Sequence, residues 1–178
     1  MDYFLIEQDK RCTNVPQLTD INTNIERRYI NRQDEGKIQN EMVLYVKSSE
    51  WNNYIDIMDK QLFIVSEEVK KVFEKYDEDI KFKMIAITDF ERSVQHVYYL
   101  PIFEEVEGLS EKAEYGFNKM VINKIVLDYK KIRDKKIFKL KESDKTAIIC
   151  RLDVVESLLR RNFEGIAYKK LDMEKEEI

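Results

Sequence analysis

The stretch LFIVSEEVKKVFEKYDEDIKFKMIAI, residues 62–87, constrains the fold more than any other part of the chain. A short apolar run, a helix with defined ends and an alternating strand follow one another in it. Val65, Val69, Val72, Phe73 and Tyr76 fall on one stripe of a helix, with Glu67, Lys70, Lys71, Glu74 and Lys75 opposite. Ser66 stands at the N-cap, Glu67 and Glu68 favour the positive helix end, and Lys75 favours the last turn. Such a stripe has to be buried, and the flanking apolar runs predict a sheet to bury it.

The remaining chain supplies that sheet. Tyr3 to Glu7 reads as a first strand, whereas Gln8 to Asn40 is polar, aperiodic and interrupted by Pro16 and Gly36. It reads as a loop with one short helical turn around Ile25 to Ile30. A connection of that length inside a compact domain is usually a functional loop or a mobile segment, so it is a first place to look for a binding surface. Met42 to Lys47 reads as a strand too apolar to be half exposed, followed by a polar turn at Ser48 to Asn53. Tyr54 to Asp59 alternates Ile55 and Ile57 against Asp56 and Met58, as an edge segment with one wet face does. Met84 to Ile87 and His96 to Leu100 flank a turn and form a candidate antiparallel hairpin, with Pro101 ending the second run or confining it to an edge.

Further along, Glu104 to Asn118 reads as a polar connection with one helical turn, and Val121 to Asp128 and Lys136 to Lys141 as strands joined by the basic Tyr129 to Lys135. Thr146 to Leu171 repeats strand, helix and strand. AIIC gives the strand, Asp153 with Glu156 fits a capping box, Val155, Leu158 and Leu159 form the stripe, and Gly165 leaves the helix in a left-handed conformation. The expectation is an α+β fold, a mostly antiparallel sheet with two main short helices packed on it. Residues 1–178 form a single domain, 1–61 being its less regular N-terminal part, 62–171 its better-defined core and 172–178 a charged tail.

Chemistry is hard to find. With one histidine, His96, a His-rich metal site is excluded, and beside Tyr98 on a strand it reads as structural. Cys150 lies in an aliphatic run and reads as a core thiol; both it and Cys12 are expected to be free. Glu104, Glu105 and Glu107 lack the spacing of a calcium loop, and no glycine-rich phosphate cradle or nucleophile elbow is present. No catalytic, metal or cofactor-binding residue is therefore assigned. Lysines and arginine at 130, 131, 133, 135, 136, 139, 141 and 145 make the strongest charge asymmetry, but acids dilute it and the net charge of −4 weighs against nucleic acid. The chain shows no basic leader and no run near the roughly 20 apolar residues that span a bilayer, so a cytoplasmic protein is expected.

The succession IVSEEVKKVFEKY, HVYYLPIFEEVEGLSEKAEY, VINKIVLDYKKIRDKKIFKL and RLDVVESLLRRNFEGIAYKKL resembles the Imm11 class of bacterial immunity proteins from polymorphic toxin systems. The pattern spans roughly Leu62 to Leu171, with the first sixty residues only loosely comparable. The resemblance implies a cytoplasmic protein that binds and blocks a cognate toxin domain, and it carries over no catalytic residues; the leading expectation is a non-enzymatic inhibitor that works by occlusion. Within that expectation Trp51, Tyr54, Tyr98 and Tyr99 are candidate anchors, and Glu104, Glu105 and Glu107 candidate steering charges. For the tyrosines, ordinary core packing is the competing reading. The alternative function is a nucleic-acid-binding or regulatory module using the basic 130–145 segment.

Overall fold

The Ser66 hydroxyl donates to Asp56 Oδ1 at 2.6 Å and accepts the Val69 N–H at 3.4 Å, so the central helix starts where the sequence pattern puts it. In the computed structural model, which describes residues 1–116 and 121–174, that helix sits among fourteen strands and three shorter helices. β1 (Tyr3–Gln8) is followed by a long segment holding α1 (Ile21–Asn24) and 3-10 turns at Arg27–Tyr29 and Glu35–Lys37. Then come β2 (Glu41–Tyr45), β3 (Ile57–Met58), β4 (Ile64–Val65), α2 (Glu67–Tyr76) and the hairpin of β5 (Lys81–Asp89) and β6 (Val94–Ile102). β7 (Glu105–Val106), β8 (Glu114–Tyr115), β9 (Ile122–Lys124), β10 (Val126–Asp128), α3 (Tyr129–Ile132) and β11 (Ile137–Leu140) follow. The last four are β12 (Ile148–Arg151), α4 (Leu152–Leu159), β13 (Ile166–Lys170) and β14 (Asp172–Glu174).

The strands build two mixed five-stranded sheets and two small ribbons, which corrects the expectation of one mostly antiparallel layer. Sheet one has the order β13-β1-β12-β11-β7 and is antiparallel except for β11 with β7. Sheet two has the order β2-β5-β6-β4-β3 and is antiparallel except for β2 with β5. Parallel neighbours need a long crossover, and here β3, β4 and α2 all lie within the one from β2 to β5. Sequence pattern marks a strand but carries no label for that pairing.

Burial follows the alternation of the strands. In sheet one, Ile6, Ile137, Ile148 and Cys150 face one cluster while Tyr3, Phe138, Leu140 and Ile149 face another. Both faces are covered, which is why AIIC reads as an unbroken apolar run. Val69, Val72 and Phe73 of α2 join Val154, Val155 and Leu158 of α4 in the first cluster, and the Tyr76 hydroxyl donates to the Asp153 carbonyl at 3.0 Å. The two helices thus share one apolar layer where the sheets meet.

Several expectations shift. β2 is half exposed, with Met42 and Leu44 buried but Val43 and Tyr45 outward, because one sheet face lacks a cover there. Met58 is buried rather than wet. Pro101 lies inside β6, opposite Phe82, where β4 pairs with β6 only at Tyr99 and so makes no ladder that proline would interrupt. α4 starts at Leu152 with Arg151 as its cap residue; Asp153 is bound by the Arg151 guanidinium at 2.7 and 2.9 Å instead of capping. The buried stripe is accordingly Val154, Val155 and Leu158, and Leu159 is exposed. The Glu104 to Asn118 connection holds β7 and β8 rather than a helical turn, with 117 and 118 outside the described residues. Asp172 to Glu174 of the expected tail pair with β10 in parallel, and 175–178 lie outside the described residues.

Gly165 has φ +75, and a Cβ there would meet Ile55 Cδ1 at 2.5 Å. Gly165→Ala is therefore expected to lower unfolding free energy by about 2 kcal/mol, the left-handed conformation and the clash adding together. Gly36, which has nothing within 4 Å of its would-be Cβ, is the control. Gly36→Ala should change stability by no more than about 0.5 kcal/mol in denaturant titration.

Candidate functional site

Sheet two has one covered and one half-open face. The covered face carries Met42, Leu44, Ile85, Ile87, Tyr98 and Leu100, and its lid is the segment from Gln8 to Asn40, which contributes Leu18, Ile21, Ile25 and Ile38. The loop expected to offer a binding surface thus spends its apolar side chains on the core. It is tied down by Lys83, which is 3% exposed and meets Glu35 at 2.5 Å and Asn40 Oδ1 at 2.9 Å. Removing either partner of such a buried pair is costly, so the pair fixes how the lid sits.

The opposite face is covered at one end only. There α2 packs over Phe82 and Tyr99, with Lys70 Nζ 5.3 Å and 5.1 Å from their ring centres. Toward the β5–β6 turn the face is open. Val43 pairs with Ala86, which pairs with Val97, and Tyr45, Thr88 and Gln95 form the next row. Val43, Tyr45 and Val97 are 45%, 46% and 45% exposed, and Phe90 in the turn is 80% exposed. Trp51, at 72%, lies in a loop bound to the same end of the sheet through Ser48 Oγ donating to Asp89 Oδ2 at 3.0 Å. Scattered apolar residues are ordinary on a surface, but rows of them on one face are a recognition feature.

Of the aromatic residues singled out from sequence, Trp51 alone is largely exposed. Tyr54 stacks on His96 with ring centres 3.8 Å apart, and burial pushes its hydroxyl pKa up. Tyr98 takes the core reading: it is buried, donates to the Ile55 carbonyl at 2.8 Å, and burial pushes its ionisation up. Tyr99 is half-buried under Lys70. Val43, Tyr45 and Val97 escaped the sequence reading, because only the register of β2 against β5 and β6 shows that they share a face.

The acidic triplet and the basic segment meet each other. Glu104 binds Lys135 at 2.6 Å and Arg32 at 3.6 Å, Glu105 binds Lys139 at 2.7 Å, and Glu107 binds Lys141 at 2.6 Å. Parallel pairing of β7 with β11 sets the rungs of this ladder. Both charge runs therefore lose most of their reach to a distant partner, and the hydrogen-bonded lysine holds the Glu107 carboxyl below its ordinary value. Among the described residues no cluster of three His, Cys, Asp or Glu side chains could hold a metal ion. No described helix is long and apolar enough to cross a membrane.

The sequence matches the family model of the Imm11 immunity proteins over residues 6–173. The chain belongs to the Imm11 family. The match takes in residues 6–60, where the sequence pattern alone was only loosely comparable, and this agrees with β1 and β2 being integral to the two sheets. No curated protein matches the sequence.

Two measurements check the site chemistry of this Imm11 chain. Lys139→Glu sets two acids side by side on neighbouring strands and should cost about 1 kcal/mol, most of it restored by adding Glu105→Lys. The Cys150 thiol is fully buried and its pKa is pushed up, whereas Cys12 is half-buried. A native sample should therefore react with Ellman's reagent through Cys12 alone, and with both thiols after unfolding. An unfolded thiol ionises near about 8.5 and the folded Cys150 does not, so the unfolded state gains by losing that proton. Stability should fall as pH rises above that value, and Cys150→Ala should remove this part of the slope.

Proposed function

We propose that the protein neutralises a cognate bacterial toxin by binding and occluding it, with no catalytic step of its own. Membership of an immunity family supports the role, and the open end of sheet two supports the means. The observation that carries the proposal is the half-exposed row Val43, Ala86 and Val97 with Tyr45 beside it, at the end of sheet two where Phe90 in the turn and Trp51 in the loop tied to Asp89 are also exposed. Interfaces draw most of their energy from a few such anchors, and a sheet held from behind by a packed lid presents them with little ordering cost.

In this reading Trp51 and Phe90 are the principal anchors. Tyr99 holds the neighbouring surface in shape, while Tyr54, stacked on His96, packs against the covered face. Glu104 and Glu105 position strands, and Glu107, with its side chain 66% exposed, is the member of the triplet most open to a basic partner. The alternative reading, nucleic-acid binding through the 130–145 segment, gains little support from lysines already committed to carboxylates at 135, 139 and 141.

The test is co-expression with the toxin encoded in the adjacent reading frame, followed by calorimetry on the purified pair. Wild type should form a complex and restore growth. Trp51→Ala and Phe90→Ala should each cost roughly 2 kcal/mol, about thirtyfold in affinity, without lowering stability. Absence of any complex would overturn the immunity role, and unchanged affinity in the double variant would overturn the surface assignment.

A further inference from the structure

We propose that a cavity between the two sheets is a binding site for a small organic monoanion with an apolar body, the chemistry of an aromatic or branched-chain carboxylate. The cavity measures about 250 Å³ and stands apart from the open sheet face assigned to the toxin. Its floor is Leu62, Phe63, Leu100, Phe103 and Ile148, every one of them buried. Its rim is polar, formed by Arg27 on one side and by Ser143, Lys145 and Thr146 of the β11–β12 turn on the other.

Size and charge narrow the ligand. The volume lies just under the ~300–1,000 Å³ of typical small-molecule sites, so a nucleotide is too large and a single ring or branched chain fits. Lys139 also lines the cavity, but its charge is matched by Glu105 at 2.7 Å. Arg27 and Lys145 have no ion-pair partner among the described residues, and Asp144 is the acid beside them, leaving one positive charge in excess. The Arg27 guanidinium is held in place by donating to the Gln61 carbonyl, which leaves its remaining N–H groups for a second acceptor. The hydroxyls of Ser143 and Thr146 add donors at the same rim. A cation fixed before binding, over an apolar floor, selects an anion whose body is hydrophobic.

The test is a two-dimensional NMR titration of the full chain with phenylacetate, and with phenylacetamide as the neutral control of equal shape. Phenylacetate should bind saturably, shift amides of Leu100, Phe103 and Thr146, and bind about tenfold more tightly than the amide, the usual worth of a charged hydrogen bond. Lys145→Gln and Arg27→Gln should each erase most of that preference. Ser143→Trp, on the exposed turn, should block both ligands, so the proposal does not depend on the Arg27 variant folding. No saturable shifts at 10 mM phenylacetate, on the order of the weakest useful affinity, would overturn the site. Equal binding of acid and amide, or acid binding unaltered by Ser143→Trp, would do the same. None of these readouts involves the toxin, so failure here and failure of the immunity role are separable.

Discussion

The apolar layer shared by α2 and α4 is the contact on which the two sheets depend. Val69, Val72 and Phe73 on one helix and Val154, Val155 and Leu158 on the other fill a single cluster that also takes Ile57 and Val65 from sheet two and Ile6, Ile148 and Cys150 from sheet one. Neither helix could bury its stripe alone, since short amphipathic helices take most of their stability from tertiary packing. Each supplies the other's cover, and the sheets are held by what lies between them. Phe103 fills the edge of this layer, meeting Phe63 and Phe73 edge-on at 5.9 and 5.7 Å.

That arrangement decides which surfaces are left over. Sheet one is used up on both faces, by the helices and by the cluster around Leu127, Ile132 and Phe138. Sheet two is closed on one face by the lid that Lys83 and Glu35 secure. What remains is the part of its other face that α2 is too short to reach. The electrostatics point the same way, because carboxylates and amines cancel along β7 and β11 and leave no strongly charged flank there.

Local features were legible in the sequence and distant ones were not. The Ser66 cap and the β5–β6 hairpin each follow from residues a few positions apart, and each is present, whereas Gly165 is left-handed but lies six residues past Leu159, where α4 ends. The helix at 152–159 shows where locality fails: stripes of Val155, Leu158 and Leu159 or of Val154, Val155 and Leu158 suit the spacing equally well. Only the direction in which β12 delivers the chain chooses between them. Likewise nothing near Gln8 to Asn40 announces a lid: Leu18, Ile21 and Ile25 share a helical spacing, but α1 is one turn long and Ile38 lies thirteen residues on, so only the distant sheet shows what the four cover. Of the proposed surface, only Trp51 was singled out from sequence, because Val43, Tyr45 and Val97 become neighbours only through strand register.

β1 lies at the interior of sheet one, with Tyr3 opposite Arg151 on one side and Phe4 opposite Lys170 on the other. During synthesis the first strand therefore emerges more than 140 residues before either of its neighbours. Sheet two, whose strands all lie between residues 41 and 102, can assemble on the ribosome while β1 waits with its hydrogen-bonding groups unpaired. Closing so long a loop slows folding more than it weakens the product. β1 accordingly gains both of its ladder neighbours only once β13 has been made, and a nascent copy halted before residue 148 lacks both strands that pair with it.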